Sequence, residues 1–599
     1  MRVMEPPSPY RYRPQPGQPP EWLFPRQAVA TARRPAETVT DMPAHRPRRV
    51  RVLHPLTFVL ALQAVLSLVL VWSNAPGQDE NDYLWIGGTL IGHVLHGTAW
   101  PATYSLAGLS GSPFIYPPLG GLANAAGGIV AARLLSLFFM LCATLFVYAT
   151  ANRLFGRTCA ISAAVLWSLF SPTLQIGAFA TFDAMSVSLT ACAVWLGVRA
   201  GYARRGRGRW PLATASGAIL AVAELAAYSG VVMIPVAIAF TGLAWITPLG
   251  VKRAVAGTVV LGAVTLLFFA GILTVTHTWS EIMAVVITRH AGATHDASEY
   301  ASVGHVFNDS WAYSGLIALA AVAGVIIAIA SSNRAEAVQV GYLAAIAFVI
   351  PLAQAHASTA VSLKKHLAYG AIFAVIAAGY GFRRIRDALP AQRWAAIACV
   401  VVAAALPAVN GFQQSYNWYQ SWPDSSSLVA RLTPALNGNS TIAFDLNQAN
   451  FLCYYYRIGL GNWWETCQTN LTTSQTSLTT GSIMAATSQY IVLGYPVNAL
   501  PPDAAQSSLA KQLQSIGTWA ANPDNSDGGQ YTGVMRLTTA VEKSGRYRLT
   551  ATGPYNSNQA SLYYAIWQRT SLPPVAPVAK AKHRTAKSGP SAPSGQVAR

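Results

Sequence analysis

The sequence predicts an all-α polytopic membrane protein of about eleven transmembrane helices, with a small exoplasmic C-terminal domain of mixed α/β structure. Three observations lead there. Of 599 residues, 52% are hydrophobic and only 11% charged, against about 25% charged in ordinary soluble domains. Apolar runs near the length that crosses about 30 Å of hydrocarbon recur up to residue 411. Beyond them the chain turns to short alternating, aromatic-rich runs between Gly, Asn, Asp and Pro turns. The formal charge of +19 would suggest a nucleic-acid partner in a soluble chain. Here Lys and Arg fall in short clusters between apolar runs and in the tails, so the charge reads as topology and no nucleic-acid partner is expected.

Residues 1–51 are rich in Pro and Arg without apolar periodicity and read as a disordered basic cytoplasmic tail. The first span follows, from Pro55 to Trp72. Ser73-Asn74-Ala75 would suit a signal-peptide cleavage site, but the preceding region is far too long, which favours an uncleaved helix. Next come the acidic run Gln78-Asp79-Glu80-Asn81-Asp82-Tyr83, an amphipathic stretch to His96 and a loop holding Tyr116-Pro117-Pro118-Leu119. Further spans are expected at 129–151, 158–179, 184–201, 211–228, 231–249, 255–276, 312–332, 337–355, 367–382 and 394–411. Only Tyr228-Ser229-Gly230 divides the pair at 211–249.

Orientation has an independent check. With the N-terminus cytoplasmic, Arg153/Arg157, Arg199 to Arg209, Lys252/Arg253, Arg334 and Arg383 to Arg393 all fall inside, as the positive-inside rule requires. Asp79, Glu80, Asp82, Asp183, Glu281, Asp296, Glu299 and Asp309 fall outside. An odd number of spans then makes residues 412–570 an exoplasmic domain, with runs such as Thr441–Phe444, Tyr490–Leu493 and Tyr547–Thr550 as strands and 571–599 as a disordered tail. Cys142, Cys159, Cys192 and Cys399 read as small buried hydrophobes. Cys453 and Cys467 lie in the polar outer region, where they are able to pair in an oxidising compartment.

Ionisable groups at membrane depth are expensive and mark candidate sites. Asp79, Glu80 and Asp82 are one set, with helix N-terminal charge as their structural alternative. Asp183 is another, with helix capping as its alternative. Lys364-Lys365-His366 opposes the positive-inside trend and suits a phosphate or pyrophosphate. Arg133 is of the same kind, unless it only snorkels. Carboxylates from two loops and cations from two others on one face suit transfer from an anionic, membrane-bound phosphate donor. A carboxylate would deprotonate the incoming hydroxyl while cations steady the departing phosphate.

Asp79-Glu80-x-x-Tyr83, Pro117-Pro118-Leu119, Arg133-Leu134-Leu135-Ser136, Arg153-Leu154-Phe155-Gly156-Arg157 and Phe182-Asp183-Ala184, in this order, resemble the landmarks of GT-C glycosyltransferases. The closest resemblance is to the protein O-mannosyltransferase-like branch that includes the lipid A aminoarabinose transferases. Leu363-Lys364-Lys365-His366-Leu367-Ala368-Tyr369-Gly370 is similar to a later motif of actinobacterial members. The resemblance covers residues 52 to 385. It implies a catalytic GT-C-like membrane domain at 52–411 in the plasma membrane, a polyprenyl-phosphate sugar donor, and inverting transfer on the outer face to a protein, glycan or lipid acceptor. It makes Asp79 the catalytic base, with Glu80 and Asp183 as the other catalytic carboxylates. Lys365, His366 and Arg133 become donor phosphate contacts, and Tyr83 and Tyr116 line the substrate cavity. Tyr116 stands where many relatives carry Lys or His. Asp79 with Asp183 is the pair that would hold a divalent cation (Mg, Mn or Ca) where one is used.

His277, His290, His295, Asp296, His305 and Asp309 lack the tight spacing of a zinc motif. Tyr454-Tyr455-Tyr456 and Trp463-Trp464 suit either sugar stacking or core packing. Two other classes share the composition. A transporter should show internal repeats and a midplane site, neither of which is visible; a noncatalytic envelope-assembly protein would leave the carboxylates structural.

Overall fold

The computed structural model describes residues 54–72, 78–98, 109–203, 208–283, 301–331, 333–389 and 393–421; further on it describes 428, 431–432, 442–444, 480–486, 488–495, 537–554 and 563–571. The basic tail, Cys453, Cys467, the Tyr454 and Trp463 aromatic clusters and the residues after 571 lie outside the described residues.

Each of the eleven expected spans falls on helix. The first is α1 (Pro55–Val71), and the acidic run opens α2 (Gln78–His96) as its first turn, where carboxylates favour the positive helix end. The expected loop at Tyr116 is instead the start of α3 (Tyr116–Phe155), with proline in its first turn, where the missing N–H costs nothing. The helical run of 40 residues is broken at Gly127 and Gly128, and Gly128 has φ 68°, a conformation that favours glycine. The span expected from residue 129 begins at this kink.

The span expected at 158–179 is two helices, α4 (Arg157–Ser168) and the short α5 (Ser171–Ile176), which carries a proline in its first turn. Then come α6 (Phe182–Gly201), α7 (Arg209–Ala226) and α8 (Met233–Leu249), the last two divided by a 3₁₀ turn at Tyr228–Gly230. Next are α9 (Val251–Val275) and α10 (Val303–Ala330), which starts earlier than residue 312. The 337–355 span is also broken, into α11 (Arg334–Ala345), a 3₁₀ turn and α12 (Val349–His356). After α13 (Leu363–Ala388), α14 (Arg393–Ser421) continues past residue 411. Among the described residues, five helical runs are long and apolar enough to cross a membrane: Tyr116–Phe155, Phe182–Gly201, Val251–Val275, Val303–Ala330 and Arg334–His356. The helices α1 and α8 are apolar but shorter.

The bundle is organised around α13. Residues 366 to 382 of α13 are all buried, as befits a helix apolar all round. It packs against α4, α5, α6, α10, α11 and α12. Small residues allow the close approach: a Cβ on Gly324 would lie 2.2 Å from the Ala377 carbonyl oxygen, and one on Gly379 would lie 2.6 Å from that of Cys159. The far end of α13 is tied by polar contacts. Tyr380 donates to Glu336 at 2.6 Å, and Arg383 donates to the Phe155 carbonyl at 2.9 Å.

The C-terminal part contributes a four-stranded sheet in the order β1-β2-β4-β3, from β1 (Ile442–Phe444), β2 (Tyr490–Tyr495), β3 (Tyr547–Pro554) and β4 (Tyr563–Arg569). β1 and β2 are parallel, and the other pairs are antiparallel. The three runs expected as strands lie on β1, β2 and β3. Among these strands, β4 was not foreseen, although Tyr563 to Trp567 is aromatic and apolar enough to signal it. A short helix, α15 (Thr480–Met484), precedes β2.

Candidate active site

Consecutive residues on a helix point about 100° apart, so the first turn of α2 sends Asp79 and Glu80 to different partners. Glu80 turns inward. Arg133 of α3 forks onto it, Nε to Oε1 and Nη2 to Oε2, both at 2.8 Å. The same guanidinium donates to the Val71 carbonyl at 3.1 Å, and the Ala180 amide donates to Glu80 Oε1 at 2.8 Å. One buried ion pair therefore binds the end of α1, the start of α2, α3 and the approach to α6. Arg133 also sits 5.7 Å from the centre of the Phe179 ring.

Asp79 turns the other way and is half exposed, at 50%. Its Oδ2 accepts from Lys365 Nζ at 2.7 Å. The same ammonium lies 3.3 Å from Oδ2 of Asp183, which is 1% exposed. Two of the three catalytic carboxylates proposed from sequence, Asp79 and Asp183, and one of the proposed cations thus converge from α2, α6 and α13, while Glu80 is held by Arg133. Thr181 holds the N-cap position of α6, and its hydroxyl donates to Asp183 Oδ2 at 2.8 Å. Asp183 Oδ1 is buried with no hydrogen-bond partner among the described residues.

Lys365 sits in the first turn of α13, ahead of the 367–382 span. Burial works to lower its pKa, but the charges of Asp183 and Asp79 and their hydrogen bonds outweigh it, so the ammonium is held above the ordinary lysine value. Lys364 lies 5.0 Å over the Tyr313 ring, and burial pushes it down to about 8. Asp82, one turn along α2 from Asp79, has Oδ1 buried without a hydrogen-bond partner among the described residues. Burial, and then the Asp79 charge, push its carboxyl up to about 8.

His366 is buried, with Nδ1 2.8 Å from Gln354 Nε2. Tyr83 is buried with its ring 4.6 Å from that of Phe182, beside Asp183. Tyr116 is fully buried. Arg133 is not brought to Lys365 and His366 but is committed to Glu80.

For a divalent cation the arrangement does not fit. Asp79 and Asp183 both present Oδ2 to the Lys365 ammonium, which a metal there would have to displace. Among the described residues no three His, Cys, Asp or Glu side chains cluster to hold one. Of the histidine-rich loop, His305 and Asp309 pair at 3.4 Å one turn apart on α10, while His290, His295 and Asp296 lie outside the described residues.

Among the buried polar groups that escaped the sequence reading are an amide and a carboxylate. Gln354 is one, a lone amide in the apolar run Val349–His356. Glu224 on α7 is the other; Thr190 on α6 donates to its Oε1 at 3.1 Å, and Oε2 has no partner. A polar side chain inside an expected span was the available signal for both.

Residues 122–275 match the family described as dolichyl-phosphate-mannose-protein mannosyltransferase. The segment runs from α3 to the end of α9 and contains Arg133 and Asp183. No match is found among curated proteins. Among solved structures, the chain is similar to ArnT from Cupriavidus metallidurans bound to undecaprenyl phosphate, with TM-score 0.50 and 14% identity, covering 73% of this chain and 92% of that one. It is also similar to the archaeal oligosaccharyltransferase AglB from Archaeoglobus fulgidus in complex with an inhibitory peptide and a dolichol-phosphate, with TM-score 0.49 and 12% identity, covering 73% and 69%. At such identities the likeness is one of fold.

Proposed function

From a multi-pass membrane chain of GT-C fold that carries a protein mannosyltransferase-family segment at residues 122–275, we propose an integral membrane glycosyltransferase. It moves a sugar from a polyprenyl-phosphate donor to an acceptor hydroxyl on the exoplasmic face. The observation that carries this reading is the meeting of Asp79, Asp183 and Lys365, with Nζ 2.7 Å and 3.3 Å from the two carboxylates. The ArnT structure with undecaprenyl phosphate supports the donor class.

Lys365 and His366 receive the donor phosphate in the first turn of α13, where the N–H groups of a helix also favour an anion. An arriving phosphate oxygen competes with Asp79 for the Lys365 ammonium. As the lysine turns to the phosphate, Asp79 is released to act as base. It takes the acceptor hydroxyl proton, and the acceptor oxygen forms a bond to the anomeric carbon. The bond from that carbon to the phosphate oxygen breaks on the opposite side, with inversion. Its electron pair leaves on polyprenyl phosphate, whose charge Lys365 and His366 stabilise. Asp183 keeps the ammonium in place through the exchange. Glu80 and Arg133 position α2 and do not touch the reacting atoms. Tyr83 and Tyr116 wall the acceptor side.

The test uses full-length protein in nanodiscs supplied with a polyprenyl-phosphate sugar. Asp79→Asn should lose at least a thousandfold in transfer while still binding undecaprenyl phosphate. Transfer at the wild-type rate by Asp79→Asn would remove the assignment.

A further inference from the structure

Gln354 and His366 meet across the connection between α12 and α13, and the hydrogen bonds there specify the chemical form of the histidine. Gln354 Nε2 lies 3.3 Å from the Val361 carbonyl oxygen and 2.8 Å from His366 Nδ1. The Gln354 backbone carbonyl accepts from Thr359 N at 3.1 Å, closing the same connection. A carbonyl oxygen only accepts, so the amide must present its NH₂ to Val361. Reversed, Oε1 would face another acceptor oxygen. The atom facing Nδ1 is therefore a donor, Nδ1 is the bare nitrogen, and the neutral ring carries its proton on Nε2. A proton on Nδ1 would set hydrogen against hydrogen.

We propose that Gln354 is a positioning residue that holds His366 as its Nε2–H tautomer, the form in which the ring donates to an anionic phosphate oxygen of the lipid donor. The phosphate half of this inference rests on the glycosyltransferase reading. A second feature supports a device and not incidental packing. Ser358 and Ser362, in the same connection, have φ 50° and 58°. Such left-handed non-glycine residues persist where the surroundings over-determine them, often at functional sites. Gln354 makes hydrogen bonds at three points across this strained segment, which delivers Lys365 and His366 to the end of a 26-residue helix.

The tautomer is read directly by nitrogen NMR on the full chain, histidine-labelled, in nanodiscs. The His366 signals are assigned by their loss in His366→Phe. A protonated Nε2 with a bare Nδ1 is expected, and a protonated Nδ1 overturns the proposal without reliance on any Gln354 variant folding. The functional arm measures binding of undecaprenyl phosphate. Gln354→Met should weaken it roughly tenfold in the wild-type background and add nothing in the His366→Phe background, because the two residues act as one unit. Equal losses in both backgrounds, or no loss in the first, would make Gln354 structural only and overturn it. If the wild-type chain fails to bind undecaprenyl phosphate, the phosphate half falls together with the glycosyltransferase reading, while the NMR result still decides the tautomer.

Discussion

Lys365 is bound to both Asp79 and Asp183, and removing its charge tests the proposed donor contact. Lys365→Met should raise the donor KM at least tenfold, since the phosphate loses its cation and Asp79 and Asp183 lose theirs; an unchanged KM would deny the lysine a donor contact. Glu80 and Arg133 should behave differently. Either Glu80→Gln or Arg133→Met leaves a buried charge unpaired and should cost about 3–5 kcal/mol in stability. The double variant should lose less than the sum, as read by thermal unfolding in detergent. Sequence identified both residues as chemistry-bearing groups but not their pairing, because a separation of 53 positions gives no sign that their side chains meet. Asp82 offers a pH test. Its carboxyl is raised to about 8 in the folded chain from the ordinary 3.8, so the folded state holds a proton that the unfolded chain releases. Its stabilising effect is complete below about pH 4 and is lost as pH rises through about 8. Asp82→Asn should therefore stabilise the protein relative to wild type above about pH 8, the advantage fading toward about pH 4. A constant difference across that range would contradict the shift.

The elements deliver these residues through close backbone approaches. A Cβ on Gly87 would lie 1.7 Å from the Pro117 carbonyl oxygen, where α2 crosses α3. Gly87→Ala should push α2 away, costing about 1–3 kcal/mol by overpacking and lowering kcat more than donor affinity, because Asp79 moves while Lys365 stays. Unchanged kcat would show that the crossing does not set the position of Asp79. The spans were legible because burial in lipid demands long apolar runs. Their breaks were not, since α4 and α5, or α11 and α12, read as one apolar stretch each. The start of α3 was hidden by Pro117 and Pro118, which signal turns in isolation yet suit a first helical turn. The meeting of α2, α6 and α13 depends on packing between segments almost 300 residues apart, which periodicity does not encode; only the order of the motifs hinted at it.

At the scale of the whole molecule, the charge pattern of the sequence predicts that the Asp79–Lys365–Asp183 cluster and the C-terminal sheet share the exoplasmic side. A cysteine introduced at Ser571, in a chain whose native cysteines are replaced by serine, should react with an impermeant maleimide in intact cells. Reaction only after lysis would reverse the orientation. The sheet was partly legible from its alternating strands, and its order was not, because β2 pairs with the distant β4 and not with β3, the next strand in the chain. On the proposed reading, the membrane domain, the acidic α2 turn and the basic α13 turn belong to an enzyme that consumes a lipid-linked sugar outside the cytoplasm. The most direct measurement is mass spectrometry of lipid-linked sugars and envelope glycans in a deletion strain complemented with the wild-type chain or with Asp79→Asn. The wild-type chain should clear a polyprenyl-phosphate sugar and restore a glycan, while Asp79→Asn leaves the donor accumulated and the glycan missing. Full restoration by Asp79→Asn, or no change in any lipid-linked sugar on deletion, would contradict it.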